Sequence, residues 1–97
     1  MNPKIHALAT PQLADYLIDS ARRWPDKVGL VCGDERVTYA ELDGRSNALS
    51  HELVRRGLVR GDRAIVFADN TVDTVVAFWA VLKANAVVSI VKFSVKD

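Results

Sequence analysis

The chain has 97 residues, 49% hydrophobic and 26% charged, with a net charge of +1 from 13 basic and 12 acidic side chains. That length holds one small domain or one piece of a larger one, burying roughly 60–65% of its unfolded surface. The composition excludes a disordered tail, and the absence of a basic stripe excludes a nucleic-acid surface.

Met1 to Ala9 reads as a flexible leader without the apolar core of a secretory signal. Thr10-Pro11 starts a helix, with a capping hydroxyl before proline at the first helical position. Leu13, Leu17, Ile18, Ala21 and Trp24 then recur at helical spacing, and Pro25 stops the helix. Val28 to Cys32 predicts a strand, Gly33-Asp34-Glu35 a turn, and Arg36 to Thr38 the returning strand of a hairpin. The single cysteine, Cys32, allows no intramolecular disulfide and reads as a packed core thiol. A reducing, cytoplasmic setting is expected.

Thr38-Tyr39-Ala40-Glu41 matches a capping box, which assigns Thr38 and Glu41 to local architecture. The helix it opens places Leu42, Leu49 and Leu53 on one face with Ala48 alongside, and Gly57 ends it as a left-handed cap. Gly61-Asp62 turns the chain into Ala64–Ala68, a buried strand by its unbroken apolar run. Asn70 or Thr71 caps a third helix running to about Ala84, and Val87 to Val91 is a second buried strand. Strand, helix and strand in this order make a βαβ unit with parallel strands and a right-handed crossover.

Val75 to Leu82 is an unbroken apolar run with no polar face. A helix apolar all round is normally covered on every side, so part of the cover is missing or something binds there. A membrane span over Val72 to Val91 is not expected, because Lys83 and Asn85 fall at or past its middle and the β-branched residues after Asn85 favour a strand.

The chemistry-bearing residues form no constellation. Gly29, Gly33, Gly44, Gly57 and Gly61 match neither a Walker loop nor a dinucleotide fingerprint. His6, His51 and Cys32 have no metal-ligand spacing, and no serine has a nucleophile-elbow context. Asp69 and Asn70 are the best-placed polar pair, at the carboxyl end of a predicted parallel strand. Capping of the third helix accounts for them as well. No residue is therefore assigned a catalytic, cofactor-binding or metal-binding role.

Five short phrases in order carry a family resemblance: Trp24-Pro25-Asp26, then Thr38-Tyr39-Ala40-Glu41-Leu42, then Gly61 to Phe67, then Asn70, then Leu82-Lys83-Ala84-Asn85-Ala86. From about Leu13 to Val91 the chain resembles the amino-terminal segment of the AMP-forming adenylate-forming enzymes, which include acyl-CoA synthetases and peptide-synthetase adenylation domains. The resemblance implies an α/β fold: the N-terminal piece of the family's large domain, a β-hairpin plus a βαβ unit, with three helices. It implies ATP, magnesium and CoA for the longer enzymes. These join a carboxylate to AMP, release pyrophosphate, then pass the acyl group to a thiol. The family's nucleotide-binding and catalytic motifs lie further along and have no matching positions here, so no cofactor is expected in this chain.

Asn85 stands where the family has glycine, a mild departure because Asn tolerates the left-handed backbone of a helix end. From Lys92 to Asp97 the resemblance fails, which leads to the expectation of a truncated, frameshifted or split gene product. The organisation read from the sequence is a leader (1–9), a partial ligase N-terminal domain (10–91) and a divergent tail (92–97). Its expected function is that of an inactive segment of an acyl-CoA synthetase-like ligase. The alternative is a non-catalytic module that self-associates, or complements a separately encoded remainder, through Val75–Leu82. A free-standing nucleotide-binding domain is disfavoured by the missing phosphate loop.

Overall fold

A computed structural model describes residues 13–68 and 71–92. The elements are α1 (Leu13–Arg23), β1 (Val28–Cys32), β2 (Glu35–Thr38), α2 (Tyr39–Arg55), β3 (Arg63–Ala68), α3 (Val72–Lys83) and β4 (Val87–Lys92). β1 and β2 form an antiparallel hairpin, and β3 and β4 a parallel pair joined through α3. The α/β architecture with a hairpin, a βαβ unit and three helices is the one the sequence predicts. The start at Thr10-Pro11, the leader and Phe93–Asp97 lie outside the described residues.

The hairpin turns at Gly33, whose φ of 60° is the left-handed conformation a tight turn demands. Its register slips between Val28 and Leu30, leaving Gly29 as the extra residue. A Cβ at Gly29 would come within 2.7 Å of the Tyr39 ring, so only glycine lets that ring close over β1. The backbone N–H groups of Tyr39 and Ala40 donate to the carbonyls of Lys27 and Pro25, tying the start of α2 to the chain leading into β1.

Thr38 and Glu41 form the expected capping box. The Thr38 hydroxyl accepts from the Glu41 N–H at 3.1 Å, and Glu41 Oε1 accepts from the Thr38 N–H at 2.9 Å. α2 ends in a Schellman motif: Leu58 N–H donates to Leu53 and Gly57 N–H to Val54, with Gly57 at φ 115°. α3 ends the same way with Asn85 at φ 61°, Ala86 donating to Val81 and Asn85 to Leu82. Thr71 is the N-cap of α3, its side chain accepting from the Thr74 N–H.

The core gathers Leu17, Val37, Leu42, Val72 and Val76, with Leu30, Cys32, Tyr39, Leu49, Val75 and Trp79 packed against it. Three expectations need correction. The apolar stripe of α1 is buried only at Leu17, while Leu13 and Trp24 are about half exposed; Arg23 and Lys27 lie over the Trp24 ring. On α2, Ala48 is exposed, and the buried small side chains are Ser46 and Ser50.

The third correction concerns the strands. β3 and β4 are not buried, because α3 covers one face of the pair and no described element covers the other. Ile65, Val87 and Val91 on that other face are 60%, 50% and 42% exposed. α3 itself is better covered than its composition suggests. Every residue from Val75 to Leu82 is buried or half-buried, against α1, α2, β1, β3 and β4. The missing cover belongs to the sheet and not to the helix.

Candidate functional site

Asp43, Ser46, Asn47 and Ser50 stand at i, i+3, i+4 and i+7, one stripe of α2 turned toward α3. Small side chains at Ser46 and Ser50 let the helices approach, and the buried Ser46 hydroxyl is satisfied by donating to the Asp43 carbonyl at 3.1 Å. Into this seam comes Lys83 from the last turn of α3, its side chain only 6% exposed. Its ammonium donates to Asp43 Oδ1 at 2.5 Å, to the Asp43 carbonyl at 3.1 Å and to Asn47 Oδ1 at 2.8 Å. An ammonium has three protons, and all three are committed. Lys83 is thus a clamp between α2 and α3, without a free proton to offer a substrate.

In the sequence Lys83 reads as a charge interrupting an apolar run and as one residue of the Leu82-Lys83-Ala84-Asn85-Ala86 phrase. The available signal was its place in a last helical turn behind eight apolar residues, where a cation must find a partner or stay in water. The partners, about forty residues away on another helix, were not readable.

Beside the seam lies an open cleft of about 1020 Å³ between α1, α2, the end of α3 and the start of β4. Ile18, Ser50, Val54, Leu82 and Val87 line it, together with His51 and Arg60. The entrance to the βαβ unit forms part of the same region. Gly61 N–H donates to the Asn85 carbonyl at 2.9 Å and Val87 N–H to the Asp62 carbonyl at 2.7 Å. Asp62 Oδ2 also accepts from the Val59 N–H at 2.9 Å, closing the turn before β3. These bonds fix the starts of both parallel strands.

The remaining candidates stay apart. His51 is exposed on α2, Cys32 is half-buried against the core, and Glu35 pairs with Arg45 at 3.6 Å. Asp69, Asn70 and His6 lie outside the described residues. Two carboxylates are perturbed, both for structural reasons. Glu41 is held below the usual glutamate value by the Thr38 backbone N–H and then its hydroxyl. Glu52 is lowered by Arg56 and then Arg55, which bind its two oxygens from one side of α2.

Among the described residues no side-chain cluster marks a site for a metal ion. No three His, Cys, Asp or Glu side chains there converge on a point, and no buried side-chain N or O is left without a partner. No helix among the described residues is long and apolar enough to cross a membrane.

Comparison with known proteins supplies what the local geometry does not. The family profile described as "AMP-binding enzyme" matches residues 17–96. A medium/long-chain-fatty-acid–CoA/3-oxocholest-4-en-26-oate–CoA ligase of Mycobacterium marinum is 38% identical over 87 residues, covering 90% of this chain and 15% of that protein. The phosphinothricin tripeptide synthetase PhsC of Streptomyces viridochromogenes is 47% identical over 76 residues, 77% of this chain and 7% of that one. Among solved structures, the N-terminal subdomain of Klebsiella oxytoca NpsA superposes with a TM-score of 0.78 at 26% identity, over 82% of this chain and 21% of that one. The chain thus spans less than a quarter of the length of each of these relatives.

Proposed function

Because the chain belongs to the AMP-binding enzyme family, we propose that it supplies a structural unit of an ATP-dependent carboxylic acid–CoA ligase and forms no acyl-adenylate by itself. The unit spans residues 10–91 in this reading. The observation that carries it is the employment of the polar groups. The Lys83 ammonium is saturated by Asp43 and Asn47, Thr38 and Glu41 cap α2, and Asp62 closes a turn. What these groups do is hold a hairpin and a βαβ unit in place. The similarity to a fatty-acid–CoA ligase supports medium- or long-chain acids as substrates of the complete domain, in cytoplasmic fatty-acid metabolism.

The test is ATP–pyrophosphate exchange by the purified chain with a panel of carboxylic acids that includes medium- and long-chain fatty acids. No exchange above a mock-purified control is expected. Exchange that survives further purification would show that 97 residues adenylate unaided, and the structural reading would be wrong.

The exposed apolar residues of β3 and β4 favour a second reading, a non-catalytic module that self-associates or complements a separately encoded remainder. Gel filtration separates the two. A defined dimer or heteromer speaks for the module, and a loosely packed monomer or aggregate for a ligase segment without its surroundings.

A further inference from the structure

We propose that the cleft between α1, α2, the end of α3 and the start of β4 binds a single-chain amphiphile with an anionic head group, its tail on the apolar floor and its head at Arg60. The proposal stands on this chain's own residues and does not depend on the ligase reading.

The floor is apolar because four elements each supply one aliphatic side chain to it: Ile18 from α1, Val54 from α2, Leu82 from α3 and Val87 from β4. Val54 is 51% exposed and Val87 50%. Scattered exposed aliphatics need no explanation, but four that converge from separate elements on one concavity do. At about 1020 Å³ the cleft stands at the upper end of the range for small-molecule sites, roughly 300–1,000 Å³.

The cation at its edge is held in place and has no anion. Arg60 lies in the turn between α2 and β3, which two reciprocal bonds close. Val59 N–H donates to Asp62 Oδ2 at 2.9 Å, and Asp62 N–H donates to the Val59 carbonyl at 2.9 Å. The Gly61 N–H donation to the Asn85 carbonyl ties the same turn to the end of α3. The backbone carrying the guanidinium is therefore fixed before a ligand arrives, which lowers the ordering cost of binding. Arg23, Arg45, Arg55 and Arg56 each have a carboxylate partner, whereas Arg60 has none among the described residues. Its planar fork of donors matches a carboxylate, sulfate or phosphate.

The other charges of the lining agree. His51 lies three residues before Val54 on α2 and is a second donor, while Lys83 is compensated by Asp43. The one carboxylate, Asp15, belongs to the first turn of α1 and not to the elements that carry His51 and Arg60. An apolar floor with cations on the α2 side suits a hydrocarbon tail that ends in an anion. The chain's own residues 1–12 suit it less: they adjoin Leu13 of the lining but carry Lys4 and His6 and no carboxylate.

The test titrates the 97-residue chain with octyl sulfate below its micelle concentration, without ATP, followed by amide NMR shifts and calorimetry. A sulfate head is not a carboxylate to be adenylated, so this proposal and the ligase reading fail separately. Saturable shifts are expected at His51, Val54, Arg60 and Leu82, with octanol and octyltrimethylammonium binding about fivefold more weakly or worse. Arg60→Gln should weaken octyl sulfate by about fivefold and leave octanol unchanged, a split that misfolding would not produce. Val54→Gln should weaken both ligands, and Ile65→Gln, on the open sheet face, neither. The proposal is overturned if octyl sulfate does not saturate, if octanol binds as well, or if Arg60→Gln binds octyl sulfate like wild type. Loss of binding in Ile65→Gln also overturns it, by placing the amphiphile on the sheet. So does binding that appears only after deletion of residues 1–12, only to anionic phosphatidylglycerol vesicles, or only in a monomer released from a dimer. In those cases the leader, a bilayer or a second copy is the occupant.

Discussion

The two sheets of this small protein solve the same problem with unequal success. In the hairpin, β1 and β2 are neighbours in sequence, their turn is local, and Val37 on the inner face is 1% exposed. The outer face, with Val31 at 57%, meets water, as an antiparallel sheet tolerates. In the parallel pair the strands are separated by a whole helix. α3 covers one face, and Ile65 is as exposed as Val31. The exposure is similar and its meaning differs. A hairpin is complete with one covered face, whereas a parallel pair is a sheet still waiting for neighbours.

That contrast can be broken where the two halves meet. The largest effect is expected at Leu42, 3% exposed and in contact with the core that the hairpin and α3 share. Leu42→Ala should cost about 2–5 kcal/mol by urea unfolding, the range for buried leucines. If the loss is under about 1 kcal/mol, the hairpin half and the βαβ half are not cooperatively packed. Asp43→Ala is expected to cost less, about 1–3 kcal/mol, because Lys83 keeps the Asp43 carbonyl and Asn47 Oδ1 and the site lies near enough to water to recover part of the loss. A conservative Asp43→Asn, which retains an acceptor, should recover some of it.

The capping box sharpens the comparison because it belongs to the hairpin half alone. Thr38→Ala removes the acceptor for the Glu41 N–H and should cost about 0.5–2 kcal/mol. Glu41 adds a pH signature. Its folded value is lowered, so its contribution is complete above the ordinary 4.5 and is lost as pH falls from there through the lowered value. Glu52, lowered by Arg56 and Arg55, acts in the same direction. Melting temperature followed from pH 7 downward should therefore decline on the acid side. Glu41→Gln, which still accepts from Thr38 but does not titrate, should flatten that limb. An unchanged acid limb would detach Glu41 from the stability of α2.

What was legible in the sequence was mostly local. Gly57 and Asn85 end their helices in the same left-handed conformation, and Thr38 and Glu41 cap α2, because each signal acts within a few residues of itself. The hairpin and the parallel crossover followed from the order of apolar runs. Features with distant causes were not legible. Ser46 and Ser50 are buried because α3 crosses there, and neither residue type announces burial. Lys83 finds its anion on another helix. The strands of the βαβ unit read as buried because their composition suits burial on both faces, but among the described residues only α3 covers one of them. No catalytic residue was read because no motif in the sequence supplies one. Asp69 and Asn70, the most site-like pair, fall outside the described residues.

The smallest expected effect decides whether the comparison stands. Val37→Thr and Ile65→Thr make nearly the same chemical change in the two sheets. At Val37 the new hydroxyl enters a core with no acceptor reserved for it, and about 1–3 kcal/mol should be lost. At Ile65 the hydroxyl meets water, so the isolated chain should change by no more than about 0.5 kcal/mol. Both can be read from urea midpoints at several protein concentrations. If Ile65→Thr costs as much as Val37→Thr, with a midpoint that rises with concentration, the parallel sheet is already covered in solution by another copy. If the cost is as large but independent of concentration, residues outside the described ones fold across the sheet. Only a near-zero cost at every concentration leaves the parallel pair as the bare half of the molecule.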